Sequence, residues 1–233
     1  MSVSTSASTR GHLSLVVAAA TAALCGGAAC SSGLSYKVDD SAMDSVPANA
    51  RMSVFDARRD LEIAQGEQRT AETQLEGLDH DRDIADKEKQ QAQLEVEKAA
   101  AEFEASVQAH DQNRNEAASH GKDVAELGLK AAEAKLDWIV QKKAWYKANR
   151  NAADAHVAAA QAKVELEKAR VAKTAGIKTT DEIDVGKFEG QSKDRSSDWQ
   201  SAKKDAESEQ KSTQKLEDKW KDLVGQHSKA KGG

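Results

Sequence analysis

The chain has a single proline in 233 residues, and it comes early, at Pro47. Everything from Ala48 onward therefore lacks the residue that breaks a helix from within. Aromatic side chains make up 4% of the sequence, which is sparse for a compact α/β domain. Ala, Glu, Lys, Gln and Asp dominate instead, a composition typical of long helices. Past the first thirty residues, no apolar run approaches the roughly 20 residues that cross a bilayer. No zinc-ligand spacing, phosphate-binding glycine loop or nucleophile-and-base pattern occurs. The chain is accordingly read as non-enzymatic, with no cofactor, metal or small-molecule substrate. A formal net charge of −5 gives no basic footprint, so no nucleic-acid partner is expected.

What is present is a repeat. Stepping by three and four, residues 61–173 present Leu61, Ala64, Ala71, Leu75, Leu78, Ala85, Val96 and Phe103, and after a polar gap Val124, Leu127, Ala131, Ala134, Trp138, Trp145, Ala152, Ala159, Ala162, Leu166 and Ala169. The residues between are mostly charged or polar. This is a seam of period 3.5, the mark of helices packed side by side. Charged residues make up 31% of the chain, which would also suit a disordered polymer, but a disordered polymer has no reason to keep a phase.

The first thirty residues differ in kind. Arg10 follows a Ser/Thr-rich start, residues 13–24 form a short apolar run, and Gly26, Gly27, Ala28 and Ala29 lead to Cys30. A basic start, a short apolar stretch and a small-residue cleavage site read as a secretory signal peptide over residues 1–29. The small residues ending in cysteine resemble a bacterial lipoprotein signal. Cys25 follows Leu24, where a small residue is expected, and is the poorer acceptor beside Cys30; ordinary secretion and a retained anchor are the alternatives. The resemblance implies that Cys30 becomes the new N-terminus and the lipid-attachment residue, carrying palmitate-type acyl chains. Two or more chains anchor a protein stably where one is marginal. In similar lipoproteins of Gram-negative hosts, a serine after the cysteine, here Ser31, favours export to the outer membrane. For such a host the resemblance implies an outer-membrane lipoprotein facing the periplasm. Cys25 and Cys30 are the only cysteines, so the mature chain forms no internal disulfide.

Residues 30–46 are small, polar and weakly acidic, and read as the lipidated N-terminus and a flexible tether. Pro47, with Ser53 and Asp56 in a capping pattern, predicts a helix start between 47 and 53. Residues 47–175 read as a long helical hairpin with its turn at about 111–121, where the seam fades into Asp, Asn, Ser, His and Gly. Three features favour a hairpin over one continuous helix. The flanks match in length. The first, residues 51–110, carries 8 Lys/Arg against 15 Asp/Glu, and the second, 111–175, carries 12 against 9. Folding about residue 115 also sets small against large, with Ala85 facing Trp145, Ala92 facing Trp138 and Leu75 facing Ala155.

Gly176 predicts a helix stop, and Thr179 with Glu182 forms a capping box, so residues 176–187 read as a second turn. Residues 188–233 then carry a weaker seam through Phe188, Trp199, Ala206, Leu216 and Trp220, with a frayed basic tail. Turning near 178 brings Trp220 towards Trp138, which makes the tryptophans packing anchors. The acidic run at 79–83 lacks the Gly and Glu of a calcium loop and reads as a solvated face. His110 and His120 read as exposed turn residues. The predicted fold is all-α: an elongated antiparallel coiled-coil hairpin with a third helix packed back. The expected role is that of a membrane-anchored scaffold, spacer or partner-binding rod that meets an envelope protein or its own copies. The alternative is an adaptor of a transport or secretion assembly docking through its hairpin tip.

Overall fold

A computed structural model describes residues 33–177 and 183–232. Those residues are almost wholly helical, with no β-strand among them. A short helix α1 (Asp40–Asp44) and a 3-10 turn (Ala48–Arg51) lead into α2 (Met52–Glu76). Then follow α3 (Leu78–Gln108), α4 (Gln112–Thr174) and α5 (Val185–Gly232). Helices α2 and α3 form one arm, bent at Gly77, which keeps a helical conformation at φ −80° and ψ −14°. At 1.5 Å per residue, the 63 residues of α4 span about 95 Å. The expected all-α elongated hairpin with a third helix folded back is what forms.

The turn is tighter than its polar composition suggests. It occupies residues 109–111, and residues 112–121 are the opening of α4, not part of the connection. Asp111 caps α4 by accepting the Arg114 backbone N–H at 3.1 Å. His110 supplies the reversal with φ +54°, a left-handed conformation that glycine adopts without steric cost. Replacing His110 by Gly is expected to stabilise the chain by about 0.5–1 kcal/mol, read as a small rise in thermal midpoint.

The earlier turn shifts the register by about one heptad. Lys143 pairs with Asp79 and Lys89 with Glu133, and Gln68 donates to Asp154 at 2.7 Å. All three pairs are centred on residue 111. Trp145 thus lies level with residues 77–78, not with Ala85. A slip of seven keeps apolar positions facing apolar positions, so the seam alone could not choose between the two registers; the Asp111 cap and the charge pairs do.

A second correction concerns which face packs on what. Around Trp138 and Gln141 the α4 seam read from the sequence turns towards α5. Trp138 stacks on Trp220 with centroids 4.8 Å apart, and Thr213 donates to the Gln141 carbonyl at 3.4 Å. The arm packs on a different stripe, where Ala64 and Leu61 meet Val157 and Ala160. Helix α4 is therefore the spine, with a neighbour on each of two faces. This explains why its buried set includes Ile139, Ala153, Val157, Ala160 and Val164 beside the seam alanines.

The helix ends follow local rules. At the end of α4, Gly176 takes φ +65°. The Ile177 N–H reaches the Ala172 carbonyl at 3.0 Å and the Gly176 N–H reaches Lys173 at 3.1 Å, the paired bonds of a Schellman cap. The Thr179–Glu182 capping box lies outside the described residues. Ser53 sits inside α2, whose start carries no side-chain cap. The basic tail expected to fray continues α5 to Gly232.

The tether is the third correction. From Leu34 onward the chain belongs to the folded unit. Val38, Met43 and Val46 are buried with Val54, Leu166, Ala169, Ala172 and Phe188. Asp39 caps α1 by accepting the Ser41 N–H at 2.9 Å. Three apolar residues at uneven spacing are enough to seat the segment, and they leave no periodic signature.

Candidate functional site

Cys30, the expected lipid-attachment residue, lies outside the described residues. The folded chain begins four residues later and docks at once on the C-terminal end of α4. The Val38 N–H donates to Glu165 Oε2 at 2.7 Å. Lys168, its side chain only 6% exposed, bridges Asp40 and Glu165 at 2.8 Å each, and Arg58 reaches Asp40 at 3.0 Å from α2. Beyond this, Tyr36 exchanges hydrogen bonds with Gln191 of α5 at 3.0 and 3.1 Å and packs on Phe188 with centroids 5.9 Å apart. One short segment thus ties α2, α4 and α5 together at the end of the molecule nearest Cys30 in sequence.

The charges of this foot are interlocked. Burial pushes the Lys168 ammonium down, but its bonds to Asp40 and Glu165 outweigh that and hold it above its ordinary range. The Lys168 hydrogen bond, helped by Arg58, holds the Asp40 carboxyl below its ordinary range. Farther along, Lys163 does the same to Asp60 and Lys143 to Asp79. Carboxyls depressed in the folded state stabilise it above their unfolded range and lose that contribution as pH falls through the folded values. The thermal midpoint is therefore expected to stay level down to about pH 5 and to fall below about pH 4. On the alkaline side, the Lys168 contribution is lost only above its ordinary range of about 10.4. Circular dichroism melts across pH check both limbs.

A further line of residues runs where the three long helices meet. Lys135, Lys142, His156, Lys163 and Arg170 recur along α4 at multiples of seven, with Asn149 between. Lys135 reaches Glu88 at 2.5 Å, Lys163 reaches Asp60 at 2.7 Å and Arg170 reaches Glu189 of α5 at 2.9 Å. Lys142 lies 5.2 Å from the Trp138 ring centroid. His156 bonds Glu67 at 2.7 Å and stacks on Trp199 at 4.1 Å and 6°, so a single α4 side chain joins α2 to α5. Clefts of about 390 and 680 Å³ lie on either side of that stack, floored by alanines of α4. The acidic arm and the basic spine thus meet as the composition suggested, although exposed pairs of this kind contribute only about 0.2–1 kcal/mol each.

The residues weighed as sites in the sequence are not brought together. His110 is exposed at the tip and His120 is exposed in the third turn of α4. Within the run 79–83, Asp79 is engaged by Lys143. Among the described residues no group of three His, Cys, Asp or Glu could hold a metal, and no helix is long and apolar enough to cross a membrane. The foot and the His156 bridge escaped the sequence reading. The seven-residue row of basic side chains was the available signal for the second.

At the far end, α5 reaches α4 through His227, whose ring packs on Gly128; a methyl group there would come within 3.1 Å of it. Five more residues complete α5. Gly128, where His227 packs, lies 17 residues along α4 from the turn at Asp111, about 25 Å. Fold and geometry define an all-helical protein built on one long central helix. No protein family, no curated protein and no solved structure matches the chain.

Proposed function

We propose that this protein is an envelope lipoprotein: a non-catalytic coiled-coil scaffold or spacer held to a membrane through acylated Cys30. For a Gram-negative host, Ser31 favours the outer membrane and a periplasmic orientation. The observation that carries the reading is the signal-like start ending in Cys30, followed within four residues by a chain that folds onto a spine about 95 Å long. Such an arrangement transmits position from the membrane outward. The foot around Lys168 supports it, because it sets a short lead between the anchor and the rigid part. A Cys30→Ala variant is expected to lack acyl mass and to retain its signal peptide uncleaved. A variant that stays membrane-bound with a normally cleaved N-terminus contradicts the anchor.

The exposed tip supports a second reading, in which the turn of the hairpin docks an envelope partner as an adaptor does. Substitutions at Val107, which is 45% exposed, and at His110 are then expected to abolish capture of that partner from native envelopes. Capture indifferent to them leaves the spacer reading standing alone.

A further inference from the structure

A cavity of about 310 Å³ opens between α1 and the start of α2, lined by Asp40, Met43, Asp44, Arg51, Val54, Phe55 and Arg58. Two of its four charges are already committed: Arg58 holds Asp40 at 3.0 Å, and Asp40 also holds Lys168 at 2.8 Å. The other two are not. The Arg51 Nε is buried without a hydrogen-bond partner, and its guanidinium carbon lies 5.9 Å from the Phe55 ring centroid. Asp44, exposed at the end of α1, has no ion pair or hydrogen bond among the described residues. A buried donor left unpaired is costly and calls for an acceptor. The cavity therefore presents one free cation and one free anion, an orphaned donor, and an apolar wall of Met43, Val54 and Phe55. Its volume sits at the lower end of the roughly 300–1,000 Å³ typical of ligand sites.

We propose that this cavity binds a zwitterionic phosphate–ammonium group of the phosphoethanolamine type, with the phosphate on Arg51 and the ammonium on Asp44. A guanidinium offers two parallel donors to phosphate oxygens. A simple anion would leave Asp44 repelling it, and a simple cation would leave Arg51 unanswered, so both charges select for a zwitterion. The proposal rests on the lipoprotein reading only for the source of the group. Asp40 lies ten positions after Cys30, so a lipid on Cys30 would hold the cavity within a short chain's reach of phospholipid headgroups.

The test titrates the full chain, in a non-ionic detergent, with phosphoethanolamine, inorganic phosphate and ethanolamine separately. Saturable binding of phosphoethanolamine is expected, at least about tenfold tighter than inorganic phosphate, the ratio expected from one added charged contact. Arg51→Gln should weaken it by about tenfold or more, and Asp44→Asn should abolish the preference over phosphate. Unchanged thermal melts of both variants exclude misfolding; if Arg51→Gln melts early, Arg51→Lys, which keeps the charge but loses the paired donors, reads the same loss. Absence of saturable binding, or binding indifferent to Arg51→Gln and Asp44→Asn, overturns the proposal. So does phosphate binding as tightly as phosphoethanolamine with Asp44→Asn strengthening it, which would mark a plain anion site. Vesicles of phosphatidylethanolamine against vesicles of phosphatidylglycerol identify the source: competition by the first alone assigns a lipid headgroup, and competition by neither assigns a soluble ligand. The mass of Cys30 is read independently, so loss of acylation with binding retained fails the anchor alone, and acylation without binding fails this site alone.

Discussion

Replacing Ala169 by Glu should unfasten the foot of the molecule and lower the thermal midpoint by roughly 10 °C. Ala169 is 0% exposed and shares a cluster with Val38, Leu166, Val171 and Phe188. A carboxylate there has no partner and no room, and an uncompensated buried charge costs on the order of 3–5 kcal/mol. For a chain of this size, each kcal/mol shifts the midpoint by about 2–4 °C. The loss should be local first, because the cluster joins three separate stretches of chain. Hydrogen exchange should show Val38 and the opening turns of α5 losing protection while the centre of α4 keeps it. Ala169→Ser, which adds one small polar atom, should cost far less. Equal exchange in Ala169→Glu and the parent would contradict the packing of the foot.

Truncating Trp220 to Ala should release the C-terminal half of α5. Trp220 stacks on Trp138 at 4.8 Å and 10° between planes, and both rings are half-buried. Full truncation of a buried Trp costs about 3–5 kcal/mol; the partial exposure here puts the expected cost at about 2–3 kcal/mol. The Trp138 indole N–H is buried without an acceptor, so shape and ring stacking hold this pair, not a hydrogen bond. A double-mutant cycle of Trp138→Ala and Trp220→Ala should return a coupling of about 0.5–1.5 kcal/mol, and the near-ultraviolet dichroism of the stacked indoles should vanish in either single variant. Strict additivity would mean that the rings do not meet in solution.

The sequence carried the helices and their order because a seam of period 3.5 survives in composition. It also carried the return of the third helix: a turn near residue 178 brings Trp220 to Trp138, and the two rings do stack. It could not carry register, because a slip of one heptad leaves alanine and leucine facing one another as before. It hid the second contact face of α4, where Ala153, Val157 and Ala160 are interspersed with polar and charged neighbours, because one periodic seam is enough to specify a helix. The foot was hidden for a different reason. Val38, Met43 and Val46 follow neither period, and Lys168 looks like any surface lysine until Asp40 arrives from 128 residues away. Such contacts are tertiary in origin, and local pattern does not encode them. The cavity at Arg51 belongs to the same class, since its charges come together from α1, the 3-10 turn and α2 only after α1 has docked.

Helix α4 is packed by α2, α3 and α5 of one copy, not by exchanged arms, and zero-length carboxyl–amine crosslinking tests that most directly. Lys143 with Asp79 and Lys163 with Asp60 are accessible ion pairs within bonding distance. Crosslinking an equal mixture of isotopically light and heavy chains should give these two links within single copies, both centred near residue 111. Links centred near residue 115, or links found mainly between light and heavy chains, would contradict a spine of α4 packed by both arms of the same molecule.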